Sequence, residues 1–487
     1  MSPAAPIINC SLHDQPLSES AEEAATTHHE PALVAECHAA AATTPDAEST
    51  RDRRAIAEMA SKAYRRASAK SNVLSRTKLQ DIALVSMDEL TVGELLGKGS
   101  FSNVHEITKI ALKGTNSDEL DDVGNSHSPR SLLAATYLRN PPNDKSPDAS
   151  PTCRYAVKFL KEDIRKNHKR YAVGTTDLVV EGLFLASLSH PHIIKVRGLP
   201  EGGVNAMIDS GSGAGDTRGY FLILDRLFDT LSDRIYNHWA VQHAEGELVK
   251  KEHVSVFDRM MLRASANGRV RELVEERNEN LAIRVKVAFD IAAALKYLHE
   301  KRIIYRDLKP ENLGFDVRGD IKLFDLGLVK ELHPDAQDRN GNYKLSMAGT
   351  PRYMSPECGM YRHYNLSADV YSFSMLLWEI IALEKPLQGF SFSQLKKEVF
   401  QEGFRPPLKT IWHKGLRTLI AAGWSQNPNK RPQMDEVYEK LKQIYTALKP
   451  GRVSEEEVSH SRRRSTYVPD MWSRISIRHI MSVEGKE

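Results

Sequence analysis

The sequence predicts an α+β fold in which strands dominate the first part of the folded region and helices the second. A glycine-containing hairpin is predicted at residues 95–108, and apolar, β-type runs follow at residues 155–160 and 220–225. From Leu281 onward, apolar side chains recur with the helical period, and the sequence to about Leu448 is typical of further helices. Grouped strands followed by grouped helices indicate the α+β class.

Residues 1–85 precede these elements and differ from them in composition. They are rich in Ala, Ser, Thr and charged side chains and contain few large apolar residues. Such a segment buries too little apolar surface to offset the entropy cost of ordering the chain. We therefore expect residues 1–85 to be disordered.

The predicted hairpin carries glycines at positions 97 and 99, separated by a lysine. Dinucleotide-binding folds of the Rossmann type also use a glycine-rich turn, but there the turn opens a helix. Here Val104 and the four residues after it have the character of a second strand. The glycines would let backbone amides approach phosphate groups closely.

Two polar segments separate the predicted elements. Residues 109–153 are far longer than a hairpin connection usually is, and residues 236–280 contain a charge-rich stretch that is typical of a solvated helix. The cost of closing a loop grows only logarithmically with its length. Both segments are therefore interpreted as insertions that leave the surrounding fold intact.

Two charged residues lie within the strand and helix patterns of the first half. Lys158 belongs to the β-type run at residues 155–160, where a solvent-facing strand position would also account for it. Glu181 belongs to the next helical pattern, and a helical glutamate is by default solvated. The residues alone leave both interpretations open.

Residues 303–313 place an acid, a base and an amide at the offsets that phosphoryl transfer requires. Asp307 can accept the proton of an attacking hydroxyl, Lys309 can face the charge on the moving phosphate, and Asn312 can hold Mg²⁺. The alternative is a polar turn between two strands. Asp325 follows a short apolar strand and precedes a Leu-Gly pair, which adds a second metal-binding position and disfavours that alternative.

In their order along the chain, these motifs resemble those of eukaryotic-type protein kinases of the serine/threonine class. The resemblance covers roughly residues 88–447. Residues 347–357 resemble the end of a kinase activation segment, and Asp369 lies where a kinase helix braces the catalytic loop. Residues 424–432 are similar to the tyrosine-kinase-like branch of this class.

The resemblance implies a two-lobed protein kinase fold. A small antiparallel-sheet N-lobe with one main helix would lie over a larger, mostly helical C-lobe. The implied kinase domain comprises residues 86–448, interrupted by the two insertions at about 109–153 and 236–280. A disordered region at residues 1–85 would precede it, and a tail at residues 449–487 would follow.

The resemblance also implies a reaction, its cofactors and its residues. ATP and Mg²⁺ would be bound, and the γ-phosphate would pass to Ser or Thr hydroxyls of protein substrates, with Asp307 as catalytic base. Three further residues are implied in catalysis: Lys309, Lys158 and Glu181. The residues implied in nucleotide binding are Gly97, Lys98, Gly99, Val104, Ala156, Lys158, Asp225 and Leu227. The implied metal ligands are Asn312 and Asp325.

Some positions depart from the usual kinase pattern. Tyr305 and Leu326 replace the common His and Phe, and by resemblance they stack with Leu185 to join the lobes. Gly314 stands where a leucine usually supports the adenine from below. Loss of that contact would cost about 1 to 2 kcal/mol of nucleotide binding unless a neighbouring side chain fills the space. By the same resemblance, Glu357 pairs with Arg431.

Several serines and one threonine are candidate phosphorylation sites. Ser68 and Ser465 follow arginine-rich strings that resemble sites for basic-directed kinases. An upstream kinase acting on Ser346 or Thr350 would create a phosphate that Arg306 could bind. Thr350 has the alternative of remaining unmodified and hydrogen-bonding the catalytic loop.

The main alternative function is a pseudokinase scaffold that binds partners without phosphoryl transfer. The filled catalytic positions argue against it. The charge is nearly balanced, with Lys plus Arg at 67 and Asp plus Glu at 64, so we expect no nucleic-acid partner. Four scattered cysteines favour a reducing compartment, and the apolar runs are too short to span a membrane. We expect a cytoplasmic protein without a membrane partner, and the nucleus is not excluded.

Overall fold

The computed structural model describes residues 45–74, 82–113, 129–130, 132–133, 154–164, 167–203, 219–244 and 256–448. The described strands are β1 Ala83–Val85, β2 Leu90–Lys98, β3 Ser102–Ile110, β4 Tyr155–Leu160, β5 Val196–Pro200, β6 Phe221–Asp225, β7 Asp229–Thr230, β8 Ile303–Ile304, β9 Leu313–Phe315, β10 Ile321–Leu323 and β11 Lys330–Glu331. The described helices are α1 Pro45–Lys70, α2 His168–Ser187, α3 Leu231–Asp233, α4 Val256–Glu300, α5 Pro356–Gly359, α6 Ser367–Ala382, α7 Phe392–Gln394, α8 Lys414–Gly423 and α9 Met434–Leu448. Two π-helical stretches, Arg234–Trp239 and Leu395–Gln401, continue α3 and α7.

The N-lobe is built on a six-stranded sheet with the order β1-β5-β6-β4-β3-β2. All neighbouring strands are antiparallel except β1 and β5, which run parallel. The β2–β3 hairpin pairs Gly97 with Val104, so the glycine-rich turn joins two strands and does not open a helix. The α+β class, the sheet-containing N-lobe and the helical C-lobe are thereby confirmed, and α2 is the predicted main N-lobe helix.

The C-lobe packs around two helices. Helix α6 is buried along nearly its whole length, and the second half of α4 contributes a row of fully buried apolar side chains, among them Val285, Ile291 and Leu298. Short strand pairs, β8 with β11 and β9 with β10, lie at the cleft side of this core. The buried end of α4 and strand β8 precede the catalytic loop, and the buried strand β10 precedes Asp325, so both segments start from fixed points.

The predicted disorder of residues 1–85 is wrong for the part of this region that the structure describes. Helix α1 buries Ile56, Ala57 and Ala60 in the main hydrophobic core. The composition argument did not predict this helix, because its buried face consists largely of alanines. These small residues permit close helix packing but are not counted as large apolar side chains. Strand β1 also lies before the predicted boundary at residue 86, and it is paired with β5. Residues 1–44 lie outside the described residues.

The two predicted insertions are described only in part. In the first, Arg130 donates a hydrogen bond of 2.9 Å to the carbonyl of Leu84, which holds that point of the insertion against the sheet. In the second, the charge-rich stretch forms the first half of α4, and residues 275–280 near its middle are mostly exposed. The expectation of a solvated helix is met there. No described helix combines the length and apolar character needed to cross a bilayer.

Candidate active site

Strand β4 and helix α2 bring Lys158 and Glu181 together. The Lys158 Nζ lies 2.9 Å from Glu181 Oε1 and 2.7 Å from Oε2. Both side chains are largely buried, and the default of a solvated helical glutamate therefore does not hold. Burial opposes the charge on Lys158, but Glu181 and Asp325 outweigh it and raise the pKa of this lysine. The surroundings of Lys158 therefore favour its protonated ammonium form.

Asp325 joins this pair to the catalytic loop. It lies 3.6 Å from Lys158 Nζ, and the nearby Lys158 and Lys309 ammonium groups hold the pKa of its carboxyl below the usual value. The backbone of Asp325 is left-handed, with φ of 58°. This conformation is strained for a residue other than glycine, and such strain is concentrated at functional sites.

The backbone of the catalytic loop is fixed by Asp369 on α6. Its carboxylate is fully buried and accepts from the N–H groups of Tyr305 at 2.8 Å and Arg306 at 2.9 Å. His299, at the end of α4, contacts the same carboxylate at 2.9 Å through Nε2. Sequence reasoning identified Asp369 but missed His299. The position of His299 at the end of the helix that leads into the catalytic loop was the sequence feature that could have identified it.

Asp307 lies at the centre of a hydrogen-bond network. Its Oδ1 accepts from the Thr350 backbone N–H at 2.8 Å and from the Thr350 hydroxyl at 2.7 Å. Lys309 Nζ lies 3.1 Å from Asp307 Oδ2 and donates to Thr350 Oγ1 at 2.9 Å. Thr350 is thus engaged as an unmodified residue. These bonds tie the activation segment to the catalytic loop.

Asn312 and Asp325 fit a hard divalent cation. The Asn312 amide nitrogen donates to the backbone carbonyl and to Oδ2 of Asp307, each at 2.9 Å. This orientation leaves the amide oxygen as the atom available to a metal, and Mg²⁺ prefers oxygen ligands. The half-exposed Asp325 carboxylate supplies the second oxygen donor. The two predicted metal positions therefore have suitable chemistry.

The predicted nucleotide-contacting residues lie along β2, β3, β4 and the end of β6. Val104 pairs with Lys158, and Ala156 pairs with Leu224, so these strands form one continuous surface. At the tip of the hairpin, the Gly99 N–H donates to the Ser102 carbonyl at 2.8 Å. The Asp225 side chain is bound by Arg197 at 2.7 Å.

The space left by Gly314 is filled by Leu227. A Cβ atom added to Gly314 would lie 2.8 Å from Leu227 Cδ1 and 3.1 Å from the Asp229 carbonyl oxygen. The leucine from the connection between the lobes therefore lies where β9 lacks a side chain. Sequence reasoning identified Leu227 only for its backbone groups, because this contact joins residues far apart in the chain.

We predict that Gly314→Leu weakens ATP binding, because the new side chain collides with Leu227. Overpacking of this kind costs about 1 to 3 kcal/mol, which is roughly a tenfold loss or more in affinity. Titration calorimetry with ATP measures the change. The double variant Gly314→Leu, Leu227→Ala should recover most of the lost affinity, because it restores the usual arrangement. Improved binding by Gly314→Leu alone would contradict the observed filling of this space.

Apolar contacts join the two lobes behind the site. Leu185 on α2, Tyr305 and Leu326 are each at most 1% exposed and belong to one core cluster. The Tyr305 hydroxyl donates to the Phe324 carbonyl at 2.5 Å. Replacement of the usual histidine by tyrosine is therefore accommodated with a satisfied hydroxyl.

Two buried acids lie on the substrate side of the C-lobe. Glu357 forms a two-pronged ion pair with Arg431, at 2.6 and 2.8 Å, as the resemblance implied. Glu379 on α6 accepts hydrogen bonds from the hydroxyls of Tyr236 and Tyr353. Burial raises the pKa of Glu379 to about 8. Sequence reasoning missed Glu379 because Tyr236, one of its two partners, lies far from it in the chain.

We predict that Glu379 makes the stability of the protein fall with rising pH. Its pKa is about 4.5 in a solvated chain and about 8 when folded, so the folded state holds one more proton between these values. The free energy of unfolding should therefore decrease from about pH 4.5 to about pH 8. Glu379→Gln should flatten this slope in thermal melts, whereas the exposed Glu384→Gln should not. An unchanged slope in Glu379→Gln would contradict the assignment.

The candidate phosphorylation sites have different surroundings. Ser346 is exposed, and Arg306 has a buried Nη1 atom without a hydrogen-bond partner among the described residues. Ser68 lies half-buried in the last turn of α1. Ser465 lies outside the described residues.

Comparison with known proteins identifies the family. The family described as protein tyrosine and serine/threonine kinase matches residues 143–441, more than half of the chain, and this region begins after the glycine-rich hairpin. Serine/threonine-protein kinase STY17 of Arabidopsis thaliana is 34% identical over 160 residues, 33% of this chain and 27% of the relative. Serine/threonine/tyrosine-protein kinase HT1 of Arabidopsis thaliana is 34% identical over 167 residues, 34% of this chain and 41% of the relative.

A third relative comes from another organism. Dual specificity protein kinase shkB of Dictyostelium discoideum is 31% identical over 196 residues, 39% of this chain and 29% of the relative. The aligned segments therefore span less than half the length of these three curated relatives. The extent of the family match, together with the two lobes and the order of the motifs, leads to one conclusion. The chain belongs to the protein tyrosine and serine/threonine kinase family and resembles its tyrosine-kinase-like branch.

Proposed function

We propose that this protein is a Mg²⁺-dependent protein kinase that transfers the γ-phosphate of ATP to Ser and Thr hydroxyls of protein substrates. The observation that supports this most directly is that Asp325 lies between the Lys158–Glu181 ion pair and Lys309 of the catalytic loop. Lys158 and Glu181 lie on one side, and Lys309 contributes to lowering the pKa of Asp325 from the other. A pseudokinase scaffold would not require this complete set of groups.

The residues divide the work of binding and orientation. Lys158, held by Glu181, neutralises the α- and β-phosphates, and the amides of the glycine-rich turn approach the phosphates from above. The N–H of Leu227 has no hydrogen bond to the described residues, which leaves it free to bind the adenine. Asn312 and Asp325 are the residues suited to hold Mg²⁺, which would supply positive charge to offset that of the phosphates.

In the transfer step, the substrate hydroxyl oxygen forms a bond to the γ-phosphorus. The bond from that phosphorus to the bridging oxygen of ADP breaks, and ADP leaves with the electron pair. Asp307 Oδ2 accepts the hydroxyl proton, while Lys309 faces the charge on the transferred group. Thr350 occupies Oδ1 of the same carboxylate, so the orientation of Asp307 is fixed before substrate arrives.

The names of two relatives favour a second possibility for the acceptor. shkB is named a dual specificity kinase, and HT1 is named a serine/threonine/tyrosine kinase. A dual-specificity activity of this chain would use the same catalytic groups and differ only in the depth at which the substrate hydroxyl is presented. The two possibilities are separated by the amino acids that become phosphorylated.

The test of the proposed function is a transfer assay with γ-labelled ATP, the full chain and a generic basic protein. We expect label on Ser and Thr after acid hydrolysis of the product, and complete loss of transfer when a chelator removes divalent metal. Label on Tyr as well would establish the dual-specificity activity. Absence of transfer in the presence of Mg²⁺, with ATP bound, would favour a scaffold instead.

A further inference from the structure

Helix α1 packs against the outer side of α2, the helix that carries Glu181. Ile56, Ala57 and Ala60 of α1 are at most 5% exposed, whereas the neighbouring Met59 is 47% exposed. On α2, Val179 is 1% exposed. Helix α2 is therefore buried both toward the site and on the side away from it. Its outer apolar side chains require a cover, and α1 supplies one within the same chain.

The end of α1 is fastened to the segment that follows Asp325. The Ser71 hydroxyl donates to Glu331 Oε2, and the Asn72 N–H donates to Glu331 Oε1 at 3.0 Å. Ser71 Oγ also accepts from the N–H of Leu74 at 2.8 Å, which closes the turn after the helix. Ser71 is only 6% exposed, and its hydrogen bond to Glu331 is partly buried. We call these contacts of Ser71 and Asn72 with Glu331 the latch.

Glu331 links the latch to the catalytic loop. It lies on β11, which pairs with β8 through Glu331 and Ile303 and through Lys330 and Ile304. The catalytic loop begins directly after Ile304. Helix α1 therefore contacts α2, and the two residues that follow it contact the strand pair that precedes Asp307.

The packing of α1 is incomplete along one side. A groove of about 610 Å³, open to solvent, lies between α1, α2 and the sheet, lined in part by Ala57, Tyr64, Val179, Leu183, Leu199 and Tyr220. Helix α1 therefore contacts its neighbours over only part of its surface. A helix with fewer tertiary contacts has fewer to lose on separation, so α1 is suited to local release.

We propose that α1 and its latch form an intramolecular positioning element, which holds α2 where Glu181 can reach Lys158, so that release of α1 lowers phosphoryl transfer. The inference rests on the proposed function. The ion pair at 2.7 Å requires α2 to lie close to β4. Removal of α1 would expose the outer apolar face of α2 to water, and α2 would lose its fixed position. Glu181 would then separate from Lys158 for part of the time.

The first experiment compares two arginine substitutions on adjacent residues of α1 in the full chain. Ala60 is fully buried, so Ala60→Arg should separate α1 from α2, whereas the exposed Met59→Arg should leave it in place. We expect kcat/KM of Ala60→Arg to fall on the order of tenfold or more. Met59→Arg should behave as the parent. Equal activity of both variants, with α1 shown to be released, would overturn the proposal.

Amide hydrogen exchange on the same variants separates positioning from a general loss of stability. In Ala60→Arg we expect faster exchange in α1 and α2 and unchanged exchange in α6, which lies in the C-lobe core. Accelerated exchange across α6 as well would mean that the substitution unfolds the protein, and it would overturn the positioning role. This readout needs no activity. Absence of transfer by the parent chain would therefore refute the proposed function and leave the exchange test intact.

The second experiment addresses the latch at Glu331. Glu331→Gln keeps one acceptor oxygen for the Asn72 N–H, and its amide NH₂ can donate to the Ser71 hydroxyl oxygen, whereas Glu331→Ala removes both partners. We expect Glu331→Ala to lower kcat and accelerate exchange in α2, and Glu331→Gln to retain most of the parent values. A similar loss in both variants would show that the carboxylate acts elsewhere and would contradict the latch.

Discussion

Asp307→Ala is expected to abolish nearly all phosphoryl transfer while leaving the fold and ATP binding intact. The carboxylate is the proton acceptor in the proposed reaction, and it also orients Lys309, Asn312 and Thr350. Loss of a positioned general base costs about 10²- to 10⁴-fold, and the loss of orientation adds to it. Single-turnover assays with labelled ATP, combined with ATP titration calorimetry, separate the lost chemical step from binding.

Asp335→Ala is the matched control for this substitution. Asp335 is an exposed acid of the same segment of the chain, and it lies in a short turn after β11. Its removal should leave kcat and the melting temperature unchanged. Transfer by Asp307→Ala at a rate within tenfold of the parent would exclude Asp307 as the base. Failure of that variant to bind ATP would assign Asp307 a structural role instead.

Arg431→Ala is expected to destabilise the protein more than any other substitution considered above. The guanidinium is buried and bonded twice to Glu357, and it also donates to the Ser367 carbonyl at 3.0 Å. Removal of one partner leaves the Glu357 carboxylate buried without its counter-charge. Such a change costs about 3 to 5 kcal/mol. Chemical denaturation followed by circular dichroism measures the difference in the free energy of unfolding.

Arg318→Ala provides the comparison. Arg318 is 54% exposed, and its distances to Asp316 and Asp320 are 3.5 and 3.8 Å. Exposed pairs of this kind contribute little, so the denaturation midpoint should hardly move. Equal destabilisation by the two substitutions would contradict the buried character of the Glu357–Arg431 pair. The double variant Glu357→Ala, Arg431→Ala should be less destabilised than Arg431→Ala alone, because it leaves no unpaired charge.

Much of the site could be predicted because several of its functional residues lie close together in the sequence. Asp307, Lys309 and Asn312 lie within six residues, so their mutual distances are set by local backbone geometry. Strand β4 could also be predicted from a short segment, because a run of apolar, β-branched and aromatic residues is typical of a β-strand. The pairing of Lys158 with Glu181 required resemblance, because nothing local connects a strand to the next helix.

The features that escaped prediction depend on contacts between distant residues. Helix α1 was expected to be disordered because its buried face is made of alanines, which count little in a composition average. Its stability comes from α2, which lies about 100 residues further along the chain. The raised pKa of Glu379 is likewise a product of burial by the folded C-lobe. No local pattern carries that information.

The exchange of roles between Gly314 and Leu227 bears on the design of inhibitors. In this chain, the leucine at this point belongs to the connection between the lobes, and β9 contributes only backbone there. A compound designed to contact a leucine on β9 would therefore find its methyl groups in a different place. For the proposed nucleotide site, ring systems matched to Leu227 would discriminate between this protein and a kinase that carries the bulky residue on the strand.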